Sequence, residues 1–307
     1  MQYFYMTVGL PGSGKSWYAK NKLPNAVVHS SDDIREELLG DASDQNQQEL
    51  IFQTLHDRVF RDLQGGWDVV YDATNINYKR RRQFLQRVKA LHIPDLQTVC
   101  VFLATPYTTC LRQNAARERI VPESVIKRMY MAFDVPMEAE GWDDIWIEGV
   151  EPFIGGVDLL LSRLGELEHD NPHHEFTVGQ HMLTAYEYFD KQYPQMVDDA
   201  ALGRAILIHD IGKEFTKVFQ DSKGNPTDIA HFYNHERVGA YDSFAHTADL
   251  NKDDRLRVAL LIRWHMIPFA VEKSDNPGKT ESKFKGLLGE NIWKQVAVLN
   301  DCDRHAH

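Results

Sequence analysis

Two sets of residues in this 307-residue chain have the types and spacing for phosphate chemistry. The first is Gly9-Leu10-Pro11-Gly12-Ser13-Gly14-Lys15-Ser16, set between an apolar stretch and a helical one. Glycines there let backbone N–H groups converge on phosphate oxygens, and the helix N-terminus adds partial positive charge. Lys15 is spaced to reach the β- and γ-phosphates of a nucleotide, and the Ser16 hydroxyl to coordinate Mg²⁺. The second set is His181, His209-Asp210, His235, His265 and Asp301, each on or beside a helical stretch. Imidazoles and carboxylates from several helices can surround a divalent cation, which lowers the pKa of bound water and neutralises a phosphate. The first set would add a phosphate and the second would hydrolyse a phosphoester.

Further residues qualify each chemistry. A phosphate-cradling loop alone does not separate a kinase from an ATPase. Ser30-Ser31-Asp32-Asp33-Ile34-Arg35 follows the second expected strand, where a parallel sheet places its substrate cleft. Asp32 there can accept the proton of an attacking hydroxyl while Arg35 holds a substrate phosphate, and one of the two aspartates can cap a helix. Asp72-Ala73-Thr74-Asn75 closes the third strand, and Arg112, Asn114, Arg117 and Arg119 fall on a helix and its exit, as in an arginine-bearing lid. In the second half, Lys213 follows His209-Asp210 as a phosphate grip or a surface helix end. His231 either lines the same pocket or is merely near it; Asp303, His305 and His307 read as a frayed terminus.

The elements that must position these groups change character midway. Expected strands at 4–8, 26–29, 68–72, 98–103 and 144–148 alternate with helices at 15–22, 43–63, 79–91, 108–116 and 123–132. Repeated strand–helix units predict an α/β domain, a parallel sheet with helices on both faces. Beyond about Gly155 the pattern is helical: 159–167, 179–188, 200–208, 235–247, 253–264 and 290–301. Turn-rich loops fall at 220–228 and 273–280, and Asp170-Asn171-Pro172-His173-His174 separates two helices. The expected division is a kinase-type domain over 1–152 and an all-α bundle over 153–307.

Composition fits such a protein. The 43% hydrophobic and 26% charged fractions are those of a globular chain, no segment reaches a membrane-spanning length, and the apolar start is too short for a signal peptide. Cys100, Cys110 and Cys302 form no CxxC pair, which predicts reduced thiols and a cytoplasmic location. A net charge of −11 argues against non-specific adhesion to nucleic acid, although not against gripping a strand end with a few arginines. Residues 1–150 carry 17 cationic against 20 anionic side chains and the remainder 17 against 25. The cations of the first half cluster at Lys79-Arg80-Arg81-Arg82 and around Arg112 to Arg119, as a substrate contact or a solvated helix start.

Over most of residues 1–150 the GxPGSGKS loop, the Asp-Asp-x-Arg, the Asp-x-Thr-Asn and the Asn-x-x-Arg before Val-Pro together resemble phage-type polynucleotide 5′-hydroxyl kinases. The resemblance implies ATP and Mg²⁺, with Lys15, Ser16 and Arg117 on the phosphate donor, Asp32 as general base and Arg35 on the acceptor's phosphate. Gln113 stands where such kinases place a second arginine, so Arg112 or Arg119 would have to substitute. Residues 170–305 resemble the HD phosphohydrolase superfamily, H…HD…D, with His181, His209, Asp210 and Asp301 as core ligands and His235 and His265 as ligands of a second metal. Mn, Fe, Co, Ni and Mg all suit such ligands. The fusion is similar to bacterial RNA end-healing enzymes with the domain order reversed. That implies a kinase for 5′-OH ends, a hydrolase for 2′,3′-cyclic or terminal phosphates, RNA ends as substrate and an RNA ligase acting downstream. The alternative is a small-molecule kinase carrying an HD nucleotidase or a nucleotide-sensing HD domain.

Overall fold

The computed structural model describes residues 1–172 and 175–306; His173, His174 and His307 lie outside the described residues. The chain divides into two compact units. One holds Met1–Met129 and Pro136–Val150, and the other holds Tyr130–Val135 and Glu151–His307.

The first unit is built on strands β1 (Gln2–Val8), β2 (Val27–Ser30), β3 (Val69–Asp72), β4 (Leu96–Leu103) and β5 (Asp144–Glu148). All pair in parallel, in the order β2-β3-β1-β4-β5. The helices are α1 (Lys15–Lys22), α2 (Ser31–Leu39), α3 (Gln48–Gln64), α4 (Tyr78–Lys89), α5 (Tyr107–Ala115) and α6 (Glu123–Met131), the last two residues of which belong to the second unit. Continuous apolar runs make this sheet: Val69, Val70 and Tyr71 on β3, and Val99 to Leu103 on β4, are buried on both faces. β1 is central, so the loop leaving it opens where the strand order reverses, the usual ligand crevice of such sheets. The helix expected from residue 43 starts five residues later, at Gln48. The preceding Asp41 and Asp44 instead bond the backbone of Ser43 and Asn46 in successive turns.

The second unit is mainly helical: α7 (Gly156–Leu164), α8 (Val178–Gln192), α9 (Ala200–Leu207), α10 (Lys213–Thr216), α11 (His235–Asp242), α12 (Lys252–Trp264), α13 (Ile267–Glu272), α14 (Pro277–Leu288) and α15 (Glu290–Arg304). It is not all-α. Strands β6 (Lys217–Gln220) and β7 (Pro226–Phe232) form an antiparallel hairpin across the segment expected to be a loop. Asp221 closes its turn by accepting from the backbone of Lys223 and Asn225. The loop expected at 273–280 likewise gives way to α14, whose Pro277 stands at the first helical position after the Asn276 cap. The Tyr130–Val135 segment belongs here because Tyr130 and Phe133 pack edge-on against Tyr241, while Asp134 accepts from Arg237 and Arg263. No described helix is long and apolar enough to cross a membrane.

Candidate functional sites

In the first unit the loop between β1 and α1 is shaped by its glycines. Gly12 has φ +83°, and a Cβ there would lie 2.2 Å from the Cys110 carbonyl oxygen, so no other residue fits without moving α5. Lys15 is buried at the start of α1, with its ammonium donating to the Leu10 carbonyl at 2.7 Å. Burial holds the Lys15 pKa below its ordinary value, and Asp72 works in the opposite direction. Ser16 Oγ donates to Asp72 Oδ2 at 2.7 Å, and Thr7 Oγ1 fixes the other carboxylate oxygen at 2.8 Å. Ser16 and Asp72 together are therefore a preset hydroxyl–carboxylate pair for a hard cation beside the phosphates.

These groups open into a cleft of about 410 Å³ that also receives Asp32, Arg35, Arg117 and Arg119. Ser30 caps α2 by accepting from the backbone of Asp32 and Asp33, so neither aspartate is spent on the cap. Asp32 is consequently free to hold a position between two guanidiniums, Arg35 at 2.7 Å and Arg119 at 3.0 Å. Arg35 is buried and also donates to Gln48 Oε1, which ties α2 to α3. Asn114 shapes the segment after α5: its side-chain amide bonds both the N–H and the C=O of Val121, pinching the intervening loop, from which Arg117 and Arg119 both line the cleft. Arg112 does not take part. It donates to Thr109 one turn back on α5, and of the two arginines expected as substitutes it is Arg119 that pairs with Asp32.

In the second unit the ligand set closes into two overlapping clusters. His181, His209, Asp210 and Asp303 each present one donor atom within 4.8 Å of the others, and Asp210, His235 and His265 form a second group. The two histidine Nε2 atoms of the first cluster are 3.3 Å apart, and both lie 3.5 Å from Asp210 Oδ2. In the second, His235 Nε2 lies 3.3 Å from both His265 Nε2 and Asp210 Oδ1. Donors about 2.1 Å from a common ion lie ~3.0–3.4 Å from one another, so these separations fit a metal.

The orientation of the rings is the stronger test. Each Nδ1 faces a backbone carbonyl, of Ala306, Ile206, Phe232 and Ile262 for His181, His209, His235 and His265, at 2.7 to 2.9 Å. An Nδ1–H donated to each carbonyl leaves four Nε2 lone pairs turned inward, as metal-binding histidines require. The protonation states agree for most of the set. Burial opposes charge on Asp210, but Lys213 and the surrounding histidines hold it well below the usual carboxylate range. Asp303 is held low in the same way by His181 and His209, while burial pushes His265 down to about 3. His209 differs: burial acts against its charge, yet Asp210 and Asp303 raise it, so a cation would displace a proton there.

Asp301 is not in this set. On α15 the buried row runs through Val296, Leu299 and Asn300, and its next position is Asp303. Asp301 is turned aside to accept from Tyr193 at 2.7 Å. The spacing of that buried row was the signal for Asp303. Lys213 is no surface helix end: it is buried, 2.6 Å from Asp210 Oδ2 and 3.0 Å from His169 Nε2. His169, with burial and Lys213 pushing it down to about 4, had no sequence signal at all. His231 stacks on Tyr233 at 5.4 Å and belongs to neither cluster, and His305 lies against Tyr188. Gly212 sets the spacing, because a Cβ there would meet the His235 carbonyl oxygen at 2.1 Å, and only glycine lets α11 bring His235 to Asp210.

A family model matches most of the first unit. Residues 4–136 match the family model described as "AAA domain". This unit is a P-loop, kinase-like domain. Such a domain implies ATP and Mg²⁺, for which Lys15, Ser16 and Asp72 are arranged. The L-seryl-tRNA(Sec) kinase of Methanococcus maripaludis is 28% identical over 152 residues, 47% of this chain and 58% of that kinase. The chain thus spans little more than half the length of that relative. A crystal structure of a fungal RNA kinase superposes with a TM-score of 0.34 at 12% identity, over 64% of this chain and 46% of that one.

Proposed function

We propose that the chain heals nucleic-acid ends: its first unit phosphorylates 5′-hydroxyl termini and its second, an HD-type phosphohydrolase, removes 2′,3′-cyclic or terminal phosphates. The observation that carries the first activity is Asp32, anchored between Arg35 and Arg119 in the same cleft as Lys15 and Ser16. A carboxylate can also orient an attacking water, but the two guanidiniums flanking Asp32 supply cations for an acceptor that carries its own phosphate, which water does not need. In the reaction the acceptor oxygen bonds the γ-phosphorus, the bond to ADP breaks, and the acceptor's proton passes to Asp32. Lys15 and Arg117 follow the charge on the transferring group, and Arg35 holds the acceptor's own phosphate. An RNA-borne acceptor is supported by the seryl-tRNA kinase, a relative whose name gives its substrate as a seryl group carried on a tRNA.

The second activity rests on the four inward-facing imidazoles and two ionised carboxylates. His181, His209, Asp210 and Asp303 would hold one divalent ion, and Asp210 with His235 and His265 a second. Bound cations supply a water of lowered pKa and offset the charge of a phosphate. Lys213, beside Asp210, adds a fixed positive charge for a phosphate oxygen, and His169 steadies its ammonium.

The test is to incubate the protein with ATP, Mg²⁺ or Mn²⁺, and an RNA bearing a 5′-OH and a 2′,3′-cyclic phosphate. Both ends are expected to change. Phosphorylation of nucleosides or sugars but of no oligonucleotide would sink the kinase reading. An untouched cyclic end under every metal would sink the hydrolase.

A further inference from the structure

A second hollow in the first unit, about 620 Å³, lies beside the transfer cleft and shares Phe52, Ala73 and Thr74 with it. It is the larger of the two, and the transfer cleft reaches its remaining lining at Gln48, which accepts from Arg35. Its floor is aromatic. His56 from α3, Tyr71 from β3 and Phe84 from α4 close on one another, with ring centres 4.5 Å apart for His56–Phe84 and 4.8 Å for Tyr71–Phe84. Phe52, one turn before His56 on α3, is half-buried and stands on the shared wall. Burial and Arg87 push His56 down to about 4, so the floor is uncharged at neutral pH.

The rim is cationic and amide-bearing. Arg87 lies over the Phe60 ring at 4.8 Å with one nitrogen 3.1 Å from His56 Nδ1, so its guanidinium is fixed in place. Arg80 is exposed at the rim and pairs with no carboxylate among the described residues. Gln83 adds a side-chain amide, and Gln48 another whose oxygen already accepts from Arg35, against one acidic lining residue, Glu49. A neutral aromatic floor, amides at the edge and an unneutralised arginine match a nucleotide: a flat π-face, hydrogen-bonding edges and a phosphate. The volume admits one or two nucleotides and exceeds what a small hydroxyl acceptor needs.

We propose that this hollow is the seat of the first unpaired nucleotides of the acceptor strand, stacked on Phe52 and held at the phosphate by Arg80. This rests on the 5′-hydroxyl kinase reading, since a strand whose end lies at Asp32 must continue past the shared wall. Recognition is of single-stranded ends, by stacking rather than by base identity.

The experiment uses the full-length protein without ATP and a 5′-OH RNA octamer carrying 2-aminopurine at position 1 or 2, or at position 6. Binding is expected to quench the fluorophore at the first two positions and not at the sixth. Phe52→Ala should restore the fluorescence and weaken binding roughly tenfold. Arg80→Gln should weaken it less and flatten its salt dependence. ATP binding retained by both variants shows that the domain is folded. Equal quenching at all positions, or quenching indifferent to Phe52→Ala, overturns the proposal. So does Phe52-dependent quenching of 2-aminopurine riboside triphosphate, which would make the hollow the seat of the donor's base. Transfer of phosphate to the octamer without end quenching sinks this proposal alone, whereas end quenching without any transfer sinks the kinase reading instead.

Discussion

Asp242 offers a prediction whose size follows from its surroundings. Its carboxyl, at the end of α11, is half-buried, and loss of solvent raises its pKa from 3.8 to about 7. The Tyr130 hydroxyl donates to Oδ1 and acts the other way, as does the Arg163 charge, while Glu214 adds to the rise. The folded protein therefore keeps a proton that the unfolded chain releases. Its contribution to stability is full below about pH 4 and falls as pH rises toward about 7. A shift of about three units corresponds to about 4 kcal/mol over that window, at 1.36 kcal/mol per unit. Asp242→Asn keeps the oxygen that Tyr130 bonds and removes the titration. Relative to the parent, the variant should gain up to about 4 kcal/mol between pH 4 and pH 7.5, seen by calorimetry as ~10 °C in the melting temperature of the second unit. All other titrating groups are common to both proteins and cancel in the difference. A stability difference that stays flat with pH would refute a protonated Asp242.

Other perturbations address the sites. Lys15→Ala should abolish phosphoryl transfer from ATP, and Asp32→Ala should lower kcat by at least ~10²-fold while leaving ATP binding intact, both read by transfer of a labelled γ-phosphate. Asp210→Ala should lose both bound metals, because its two oxygens serve both clusters, while His265→Ala should lose one; metal content per chain decides, and kinase activity should survive in each. Arg81→Met should destabilise the first unit by about 3–5 kcal/mol in urea titrations, because Arg81 and Glu140 are both fully buried and 2.5 Å apart, and Glu140 would be left unpaired.

Much of the first unit was legible in the sequence because its signals are local. A glycine loop between an apolar strand and a helix, or a carboxylate two residues past a strand end, keeps its meaning wherever the rest of the chain goes. Arg119 was harder, since its approach to Asp32 depends on Asn114 pinching the six-residue loop before Val121. In the second unit His181, His209, Asp210, His235 and His265 could be picked out by type. The choice between Asp301 and Asp303 could not, because it depends on which face of α15 packs inward. His169 stands outside any element and reaches Lys213 only through the tertiary fold. The β6–β7 hairpin is short, and most of its outer side chains are polar or exposed, so no alternation marks it.

The assignment of Tyr130–Val135 to the second unit has a practical consequence for anyone dividing the gene. A cut near residue 150, where the composition changes, would give two damaged products. The C-terminal fragment would lack Asp134, leaving the guanidiniums of Arg237 and the buried Arg263 with the longer ion pairs to Glu236, at 3.9 and 3.6 Å. The N-terminal fragment would carry Tyr130 and Phe133 away from the Tyr241 ring that covers them, as adhesive surface. Loss of either activity in such fragments would report a torn core, not cooperation between the two chemistries.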